Sequence, residues 1–517
     1  MKVKLLSRSS SEHTRERITD LQKIKRNFDP ELHPFEKARE YTRAVRAAKL
    51  ERMFAKPFIG ALSGHIDGVY SLAKNPYNLD LMYSGSGDGE VRVWSLSNQE
   101  SLWKCGQAHN GMVSGLTVIP ESNASAGSIG FGKRFISVGT DKMVKLWSIN
   151  KTGSDASRLL ATPKSGSSLL PENKGKRLAE MYNESIKNDI EMNDELSARY
   201  ATNSVELEDF SSYGKDDPVP ISVYTGKEAF LSVDHHRSKS WFATSSSVVS
   251  IWDIERSEPI SNFSWGSDTI NTVRFNQTET NILASSGTDR NVILYDLRTS
   301  TPVAKLVMAL KTNAIAWNPM EAFIFTCGNE DHNCYTFDMR KMDMALNIMK
   351  DHVSAVMDVD YSPTGMELVT ASYDKSIRIF NTKNGHSRDI YHTKRMQKVF
   401  AAKFTLDNKF VVSGSDDGNL RLWRAVSSDR VGIKSNRERN NLEYLEKVKK
   451  RYKHMPEVGK VLRTRNLPRD IKKTSKVKRE MLDARKQKEE NLRKNSKPGT
   501  VPIVPERKKS ILQVTSK

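Results

Sequence analysis

The chain has 517 residues, of which 28% are charged, and a formal net charge of +20 at pH 7. This length suits one large domain with extensions. Its three cysteines, Cys105, Cys327 and Cys334, exclude a disulfide framework and predict buried free thiols in a reducing compartment. The sequence has neither a secretory leader nor a run of about 18 apolar residues, so we expect a soluble intracellular protein with no membrane partner.

The positive charge is concentrated at the two ends of the sequence. Residues 1–56 contain 15 Lys and Arg against 8 Asp and Glu, and residues 430–517 contain 28 against 10. The segment between them is therefore slightly acidic. This distribution predicts two basic arms around a central domain, which suits a scaffold that reaches along phosphate backbones. A solubilising tail is the alternative interpretation.

The N-terminal arm, residues 1–56, contains turn prolines followed by a helical pattern. Pro30 and Pro34 precede a segment rich in Ala, Glu and Arg, in which apolar and aromatic residues recur at helical spacing. We expect this helix to fold on the central domain or on a partner. The candidate partner-contacting residues of the arm are Phe35, Tyr41 and Phe54.

Residues 57–429 contain a repeat in which an aspartate precedes an aromatic residue by six positions. The residues between the two alternate at strand spacing, which places the aspartate in the turn before the strand, where turn amides donate to it. From Trp252 onward the aromatic residues recur about every 43 positions, the period of WD-type propeller blades. The six pairs are Asp88 with Trp94, Asp141 with Trp147, Asp289 with Tyr295, Asp331 with Phe337, Asp374 with Phe380, and Asp417 with Trp423.

Three histidines precede these aspartates at a spacing that is typical of such blades. His65, His109 and His352 lie near the starts of their repeats, and His352 is 22 residues before Asp374. A histidine at this spacing donates a hydrogen bond to the aspartate of the same repeat. We interpret these histidines and aspartates as structural, not catalytic.

The spacing of the aromatic residues predicts seven blades. A loop rich in Ser, Gly and Ala at 121–132 lengthens one repeat, and a polar insertion at about 152–215 lengthens the next. The blade ending at Trp252 has Ser246 in place of the turn aspartate, so we expect it to be the least regular. Residues 57–63 are predicted to close the ring as the outer strand of the last blade. The predicted fold is an all-β, seven-bladed WD-repeat propeller with basic, partly helical N- and C-terminal extensions.

The C-terminal arm, residues 430–517, begins with a basic amphipathic pattern. Residues 442–452 place apolar and aromatic side chains three to four positions apart among lysines, which predicts a helix. A dense cationic stretch follows. It suits the neutralisation of phosphates without base reading, and it also suits nuclear import. The candidate RNA-binding residues are Lys449, Lys450, Arg451, Lys453, Arg463, Arg465, Arg469, Lys472, Lys473, Lys476, Lys478 and Arg479.

The sequence indicates no catalytic or metal site. Residues 127–133 have the spacing of a phosphate-binding loop, but Arg134 replaces the Ser or Thr that would bind magnesium. His235 and His236 have no Cys or acidic cluster at metal-ligand spacing. No combination of nucleophile, base and orienting group is recognisable. We therefore predict a binding module without enzymatic activity, cofactor or small-molecule substrate.

Several segments resemble the Sof family of WD-repeat proteins of ribosome biogenesis. They are residues 31–42, 49–58, 351–360, 373–380, 385–397 and 451–456, and the resemblance extends over nearly the whole chain. It implies a non-catalytic scaffold of the small-subunit processome, located in the nucleus and nucleolus and needed for the pre-rRNA cleavages that yield 18S rRNA. The implied partners are pre-rRNA, the U3 small nucleolar RNA in its ribonucleoprotein, and other processome proteins.

Two segments at the ends of successive blades suggest an alternative function. Tyr295-Asp296-Leu-Arg298 and Phe337-Asp338-Met-Arg340 resemble the Trp-Asp-x-Arg boxes by which some propellers dock on adaptors of cullin-RING ubiquitin ligases. Tyr and Phe replace the usual Trp here, and a local Asp–Arg salt bridge is the simpler interpretation. Animal members of the Sof family are described as such receptors. A substrate receptor of a cullin-RING ligase is therefore the alternative function, with these six residues as candidate contacts.

Overall fold

The computed structural model describes residues 31, 34–120, 134–149, 218–265, 268–299, 301–429, 432–497 and 499–516. The predicted Ser/Gly/Ala-rich loop at 121–132 and the predicted insertion at 152–215 lie outside these residues. The described strands form seven antiparallel sheets, which are the blades of a propeller. The predicted seven-bladed fold is therefore confirmed.

Each of the first three complete blades is built from four consecutive strands of the sequence. The first contains β2 (Val69–Lys74), β3 (Leu81–Ser86), β4 (Val91–Ser95) and β5 (Glu100–Cys105). The second contains β6 (Val113–Val118), β7 (Arg134–Gly139), β8 (Met143–Ser148) and β9 (Ser222–Thr225). The third contains β10 (Ser232–His235), β11 (Trp241–Ser245), β12 (Val249–Asp253) and β13 (Ser261–Phe263). As a set its described strands are the shortest of the ring. Their pairing contains no register shift, so the irregularity expected for the blade with Ser246 is not seen in its strand register.

The next three blades repeat this arrangement. The fourth contains β14 (Ile270–Phe275), β15 (Ile282–Gly287), β16 (Asn291–Asp296) and β17 (Thr301–Met308). The fifth contains β18 (Thr312–Trp317), β19 (Ile324–Asn329), β20 (Cys334–Asp338) and β21 (Asn347–Met349). The sixth contains β22 (Val356–Tyr361), β23 (Glu367–Ser372), β24 (Ile377–Asn381) and β25 (Ser387–Tyr391).

The seventh blade combines the two ends of the propeller sequence. It contains β26 (Val399–Phe404), β27 (Phe410–Ser415) and β28 (Asn419–Arg424), and its outer strand is β1 (Phe58–Ser63). β1 pairs antiparallel with β28, with Leu62 opposite Leu420. The predicted closing strand is confirmed, and it covers a sheet edge that would otherwise be open.

The hydrophobic core lies between neighbouring blades. Trp103 of β5 contacts Phe135 and Trp147 of the next blade, with ring centroids 5.3 and 5.8 Å apart. The aromatic residues of the repeats, including Tyr295 and Phe337, are fully buried in such layers. The three cysteines are buried and free, as predicted. Burial raises the pKa of the Cys327 and Cys334 thiols, which disfavours the reactive thiolate.

The arms form helices and one further strand. They are α1 (Glu36–Met53), α2 (Asn436–Arg451), α3 (Pro456–Arg463), α4 (Arg469–Asn495), α5 (Glu506–Lys509) and β29 (Ile511–Ser516). The helix predicted at 442–452 is largely contained in α2, which begins after Ser435, whose hydroxyl accepts a hydrogen bond from the Glu438 amide. β29 was not predicted, and it pairs with β17 as a fifth strand of the fourth blade. None of the described helices is long and apolar enough to cross a membrane.

Two of the predicted histidine–aspartate pairs are present. His109 Nδ1 lies 2.9 Å from Asp141, and its Nε2 lies 2.7 Å from the Ser137 hydroxyl, which also accepts a hydrogen bond from the Trp147 indole. His352 Nδ1 lies 2.9 Å from Asp374. Burial alone would raise the pKa of Asp374, but its contacts with His352 hold that pKa well below the ordinary value. These pairs connect the segment before the first strand of a blade to the turn between its second and third strands.

The prediction that His65 bonds to Asp88 is wrong. His65 Nδ1 lies 2.9 Å from Glu90, not from Asp88, because Glu90 occupies the buried position beside the ring while Asp88 is exposed. Asp88 still accepts a hydrogen bond from the Glu90 amide in the turn. In the blades without a histidine, a different side chain bonds to the turn aspartate: Asn291 to Asp289, Tyr335 to Asp331, and Arg421 to Asp417.

Shortening the buried side chain of Leu62 in the closing strand β1 will destabilise the propeller. Leu62 is 1% exposed and packs against Leu420 and Leu422. We expect Leu62→Ala to lower the free energy of unfolding by about 2–5 kcal/mol, because it leaves a cavity at the point of closure. Denaturant titration measures this change. Ile66→Ala, at a side chain that is 91% exposed, is the control and will change it by less than about 0.5 kcal/mol. Equal effects of the two substitutions would contradict this account of closure.

Acid will destabilise the third blade through His235. Burial, together with nearby His236 and Arg134, lowers the pKa of His235 from 6.5 to about 4. Because the folded-state pKa is depressed, the stabilisation is fully present above pH 6.5 and is lost as the pH falls towards 4, by about 1.4 kcal/mol per pH unit. Thermal unfolding at pH 7.5 and 5.0 will show a smaller loss for His235→Asn than for the wild type. The exposed His454→Asn control will behave as wild type, and equal losses in all three proteins would refute the assignment.

Candidate interaction surfaces

The two arms pack against each other at the seventh blade. Ala44 and Ala48 of α1 form a small core with Val448 of α2 and Val458 of α3. Tyr41, a predicted partner-contacting residue, is half-buried in this bundle, with its ring 5.9 Å from that of Tyr452. The predicted contacts Phe35 and Phe54 remain 75% and 63% exposed.

Ion pairs between the arms engage two of the predicted RNA-binding residues. Lys449 lies 2.7 Å from Glu51, and Arg451 lies 2.8 Å from Glu40. Partial burial alone would raise the pKa of Glu40, but hydrogen bonds from Arg451 and Tyr452 keep it below its ordinary value. Lys449 and Arg451 therefore hold the arms together.

A third predicted RNA-binding residue, Arg465, is directed into the protein. Its guanidinium donates hydrogen bonds to the carbonyl groups of Leu462 and Thr464, at 2.6 and 3.1 Å. Burial lowers the pKa of Arg465. Arg52 of α1 donates to the Leu462 carbonyl at 2.7 Å and pairs with Asp389 of β25 at 3.3 Å. The Arg52–Asp389 pair attaches the helical bundle to the sixth blade.

Helix α4 is docked on the propeller through its N-terminal part. Ile471 is buried, and the Lys478 ammonium donates to the carbonyl of His352 at 2.8 Å. Burial lowers the pKa of Lys478. Lys478, a predicted RNA-binding residue, therefore contacts the connection between β21 and β22 of the propeller.

The remaining predicted RNA-binding residues are exposed. Within α4, Arg469, Lys472, Lys476 and Arg479 follow one another at three- to four-residue spacing and share one face of the helix, away from Ile471 and Lys478. Among the residues that the structure describes, the ion pairs of Lys476 and Arg479 are long, at 3.8 and 3.9 Å, and involve acids one turn away. The exposed set is Lys450, Lys453, Arg463, Arg469, Lys472, Lys473, Lys476 and Arg479.

The same helix contains exposed cations that were not among the sequence candidates. Arg485, Lys486 and Lys488 lie in its second half, and Lys486 extends the face formed by Lys472 and Arg479. A helical pattern continued beyond residue 479 would have identified them. We call the surface formed by Arg469, Lys472, Lys476, Arg479 and Lys486 the basic face of α4.

The end of the arm is attached to the fourth and fifth blades. Glu506 forms an ion pair with Lys350, and the carbonyl of Arg507 accepts a hydrogen bond from the Ala345 amide at 3.1 Å. β29 then pairs with β17, and Lys509 returns to Glu489 of α4 at 2.8 Å. The helix is therefore held at its start by the propeller and near its end by α5.

The two predicted docking boxes have the same geometry. Arg298 makes two hydrogen bonds to Asp296, at 3.1 and 2.9 Å, and Arg340 makes two to Asp338, at 3.1 and 2.8 Å. These bonds hold the pKa of both carboxyl groups below the ordinary value. The arginine side chains remain 69% and 64% exposed. The local salt bridge is thus present, and it presents each arginine to solvent.

Exposed apolar side chains lie in the connections at the same end of the blade as the second box. Arg340 lies over the ring of Phe323 at 4.4 Å from its centroid. Met320 and Phe323 in the β18–β19 turn, and Met344 between β20 and β21, are 68%, 37% and 48% exposed. These connections lie at the end of the blade opposite to the β21–β22 connection, which contains His352 and is contacted by α4. Methionine, phenylalanine and arginine are enriched in protein interfaces.

The described residues contain one group of side chains at metal-ligand distance, and it belongs to the first blade. His65, Asp88 and Glu90 form it, but His65 already bonds to Glu90 and Ser84, and Glu90 also pairs with Arg92 at 2.7 Å. A cavity of about 100 Å³ lies between the innermost strands and contains the Lys403–Asp358 ion pair. It is smaller than the roughly 300–1,000 Å³ of typical ligand sites.

Comparisons with known proteins agree with this architecture. The model of the Sof1-like domain matches residues 425–511, and that of the WD domain, G-beta repeat, matches 56–95 and 384–424. The model of eukaryotic translation initiation factor eIF2A matches residues 231–400, which lie within the propeller. The Sof1-like match contains α2, α3, α4 and α5.

Similarity to curated relatives extends over the whole chain. The sequence is 44% identical to Protein SOF1 of Saccharomyces cerevisiae, over 100% of this chain and 96% of that protein. It is 44% identical to the DDB1- and CUL4-associated factor 13 of Xenopus laevis and 42% identical to that of Homo sapiens, each over 99% of this chain and 100% of the relative. With this identity along its full length, the chain belongs to the Sof1 family of WD-repeat proteins.

Proposed function

We propose that this protein is a non-catalytic scaffold of ribosome biogenesis within the small-subunit processome. In this function it contacts pre-rRNA and the U3 small nucleolar ribonucleoprotein, and it supports the processing that yields 18S rRNA. The proposal rests on its family and on one structural observation, the basic face of α4. Nuclear and nucleolar localisation is part of the proposal, because the same cations suit an import signal.

The basic face of α4 has the properties that phosphate binding requires. Arg469 and Lys486 are separated by about 25 Å along the helix, at 1.5 Å per residue. The face between them is exposed, and the helix is held on the propeller by Ile471 and Lys478. Such a row of cations gains affinity by releasing counterions from a nucleic acid backbone, without reading its bases.

Removal of three cations from this face will weaken RNA binding. We expect Lys472→Ala, Lys476→Ala and Arg479→Ala together to reduce affinity at least about tenfold near 0.1 M salt, and to lower the slope of log affinity against log salt by about 2. Fluorescence anisotropy of the full chain with a single-stranded RNA from the 18S region measures both quantities.

The matched control removes three lysines from the propeller. Lys104, Lys227 and Lys394 are exposed, so their joint replacement by alanine changes the net charge by the same amount. It will leave most of the affinity intact. If the control and the α4 variant lose affinity equally, binding depends on net charge alone and the proposed RNA surface is wrong.

A substrate receptor of a cullin-RING ubiquitin ligase is the second candidate function. Two observations favour it: the shared geometry of the Asp296–Arg298 and Asp338–Arg340 pairs, and the relatives named DDB1- and CUL4-associated factor 13. Tyr295 and Phe337 stand at the positions where the usual box has tryptophan, and both side chains are fully buried. This function would use the opposite end of the blades from the one that α4 contacts.

Removal of both box arginines separates the two functions. We expect Arg298→Ala with Arg340→Ala to reduce binding to a purified DDB1-type adaptor at least tenfold, while RNA affinity is retained. Each surface ion pair contributes less than about 1 kcal/mol, so thermal unfolding will hardly change. Replacement of the exposed Arg256 and Arg395 by alanine is the control. Unchanged adaptor binding by the box variant would exclude these boxes as the docking site.

A further inference from the structure

The exposed face of α1 combines cations with large apolar side chains. We propose that this face docks a protein segment that carries apolar anchors and acidic residues. It is formed by Arg39, Arg46, Lys49, Leu50, Met53 and Phe54, and we call it the outer face of α1. The proposal does not depend on RNA binding by α4.

The opposite face of α1 is already occupied. Ala44 and Ala48 are fully buried against α2 and α3. Glu40 and Glu51, the acidic residues between positions 37 and 54, pair with Arg451 and Lys449. These two acids are therefore engaged in contacts within the protein, and they do not neutralise the outer face. The third acid of α1, Glu36, lies in its first turn.

Basic and apolar side chains are mixed along the outer face. Arg46, Leu50 and Met53 lie at spacings of four and three residues, so they project from the same side of the helix. Leu50, Met53 and Phe54 are 48%, 68% and 63% exposed. Arg39, Arg46 and Lys49 are exposed and form no ion pair among the residues that the structure describes.

The residue before the helix adds a second exposed aromatic group. Phe35 has a φ of 77° and a side chain that is 75% exposed. A positive φ is unusual for a bulky residue and is retained where the surroundings or a function require it. Its carbonyl accepts the first helical hydrogen bond, from the Arg39 amide at 2.9 Å. Exposed aromatic side chains thus lie at both ends of α1.

The composition of this face favours a protein over a nucleic acid. Two of its three large apolar side chains, Leu50 and Met53, are aliphatic and offer no ring on which a base stacks, and the aromatic groups Phe35 and Phe54 lie at opposite ends of the helix rather than side by side. Single-stranded nucleic acids are bound on platforms of successive aromatic side chains. Met, Phe and Arg are enriched in protein interfaces. Exposed apolar groups at successive helical turns suit a second amphipathic segment, and the neighbouring cations select acidic residues in it.

Photo-crosslinking from the outer face tests the proposal in the full chain. The photoreactive amino acid p-benzoylphenylalanine replaces Phe54 in cells, and mass spectrometry identifies the crosslinked peptide. The same probe at Ile66, which is 91% exposed on the propeller, is the positional control. We expect the probe at position 54 to crosslink one acidic, apolar-containing protein segment, with a yield well above that at position 66.

Charge reversal provides the second readout. We expect Arg46→Glu with Lys49→Glu to reduce the crosslinking yield at least fivefold, whereas Lys104→Glu with Lys227→Glu will not. Both pairs are exposed, and unchanged thermal unfolding will show that each variant folds. Crosslinks to RNA, to a basic segment or to this chain itself would overturn the proposal. A yield no higher than that at position 66, or one insensitive to charge reversal, would overturn it as well.

Discussion

Closure of the ring is the constraint on which the rest of the structure depends. β1 precedes the first complete blade in the sequence but pairs with β28 of the last one. Because α1 lies immediately before β1 and α2 follows β28, closure places the two arms side by side. Their apolar faces then bury Ala44, Val448 and Val458 in one core. Without closure, α1 would have no neighbouring helix to cover this face.

The same proximity sorts the cations of the arms into two groups. Lys449 and Arg451 neutralise Glu51 and Glu40 of α1, and Arg465 and Lys478 bond to backbone carbonyls. Lys449, Arg451 and Lys478 thereby attach the arms to each other and to the propeller, whereas the bonds of Arg465 stay within its own arm. The remaining cations lie on the outer face of α1 and on the basic face of α4. Because both helices are ordered, less conformational entropy is lost when a partner binds to these cations.

Much of the fold could be predicted because a propeller repeats its packing along the sequence. Six aspartate–aromatic pairs and alternating strands identify the blades, and the closing strand follows from the need to cover an edge. The error at His65 is instructive. Asp88 has the expected spacing, but Glu90 has a longer side chain at a buried position and reaches the imidazole. Spacing along the chain does not reveal which of two nearby carboxylates is turned inward.

The sequence alone determined the number of blades, the closing strand, the basic character of the arms and the location of the two boxes, since each depends on local periodicity or composition. Only the tertiary structure decided which cations are free, that β29 joins the fourth blade, and that α1 presents cations and apolar residues on one exposed face. These features depend on contacts between residues hundreds of positions apart, such as Glu51 with Lys449 and Lys305 with Thr515. A pattern within one segment contains no information about the partner that folding brings to it.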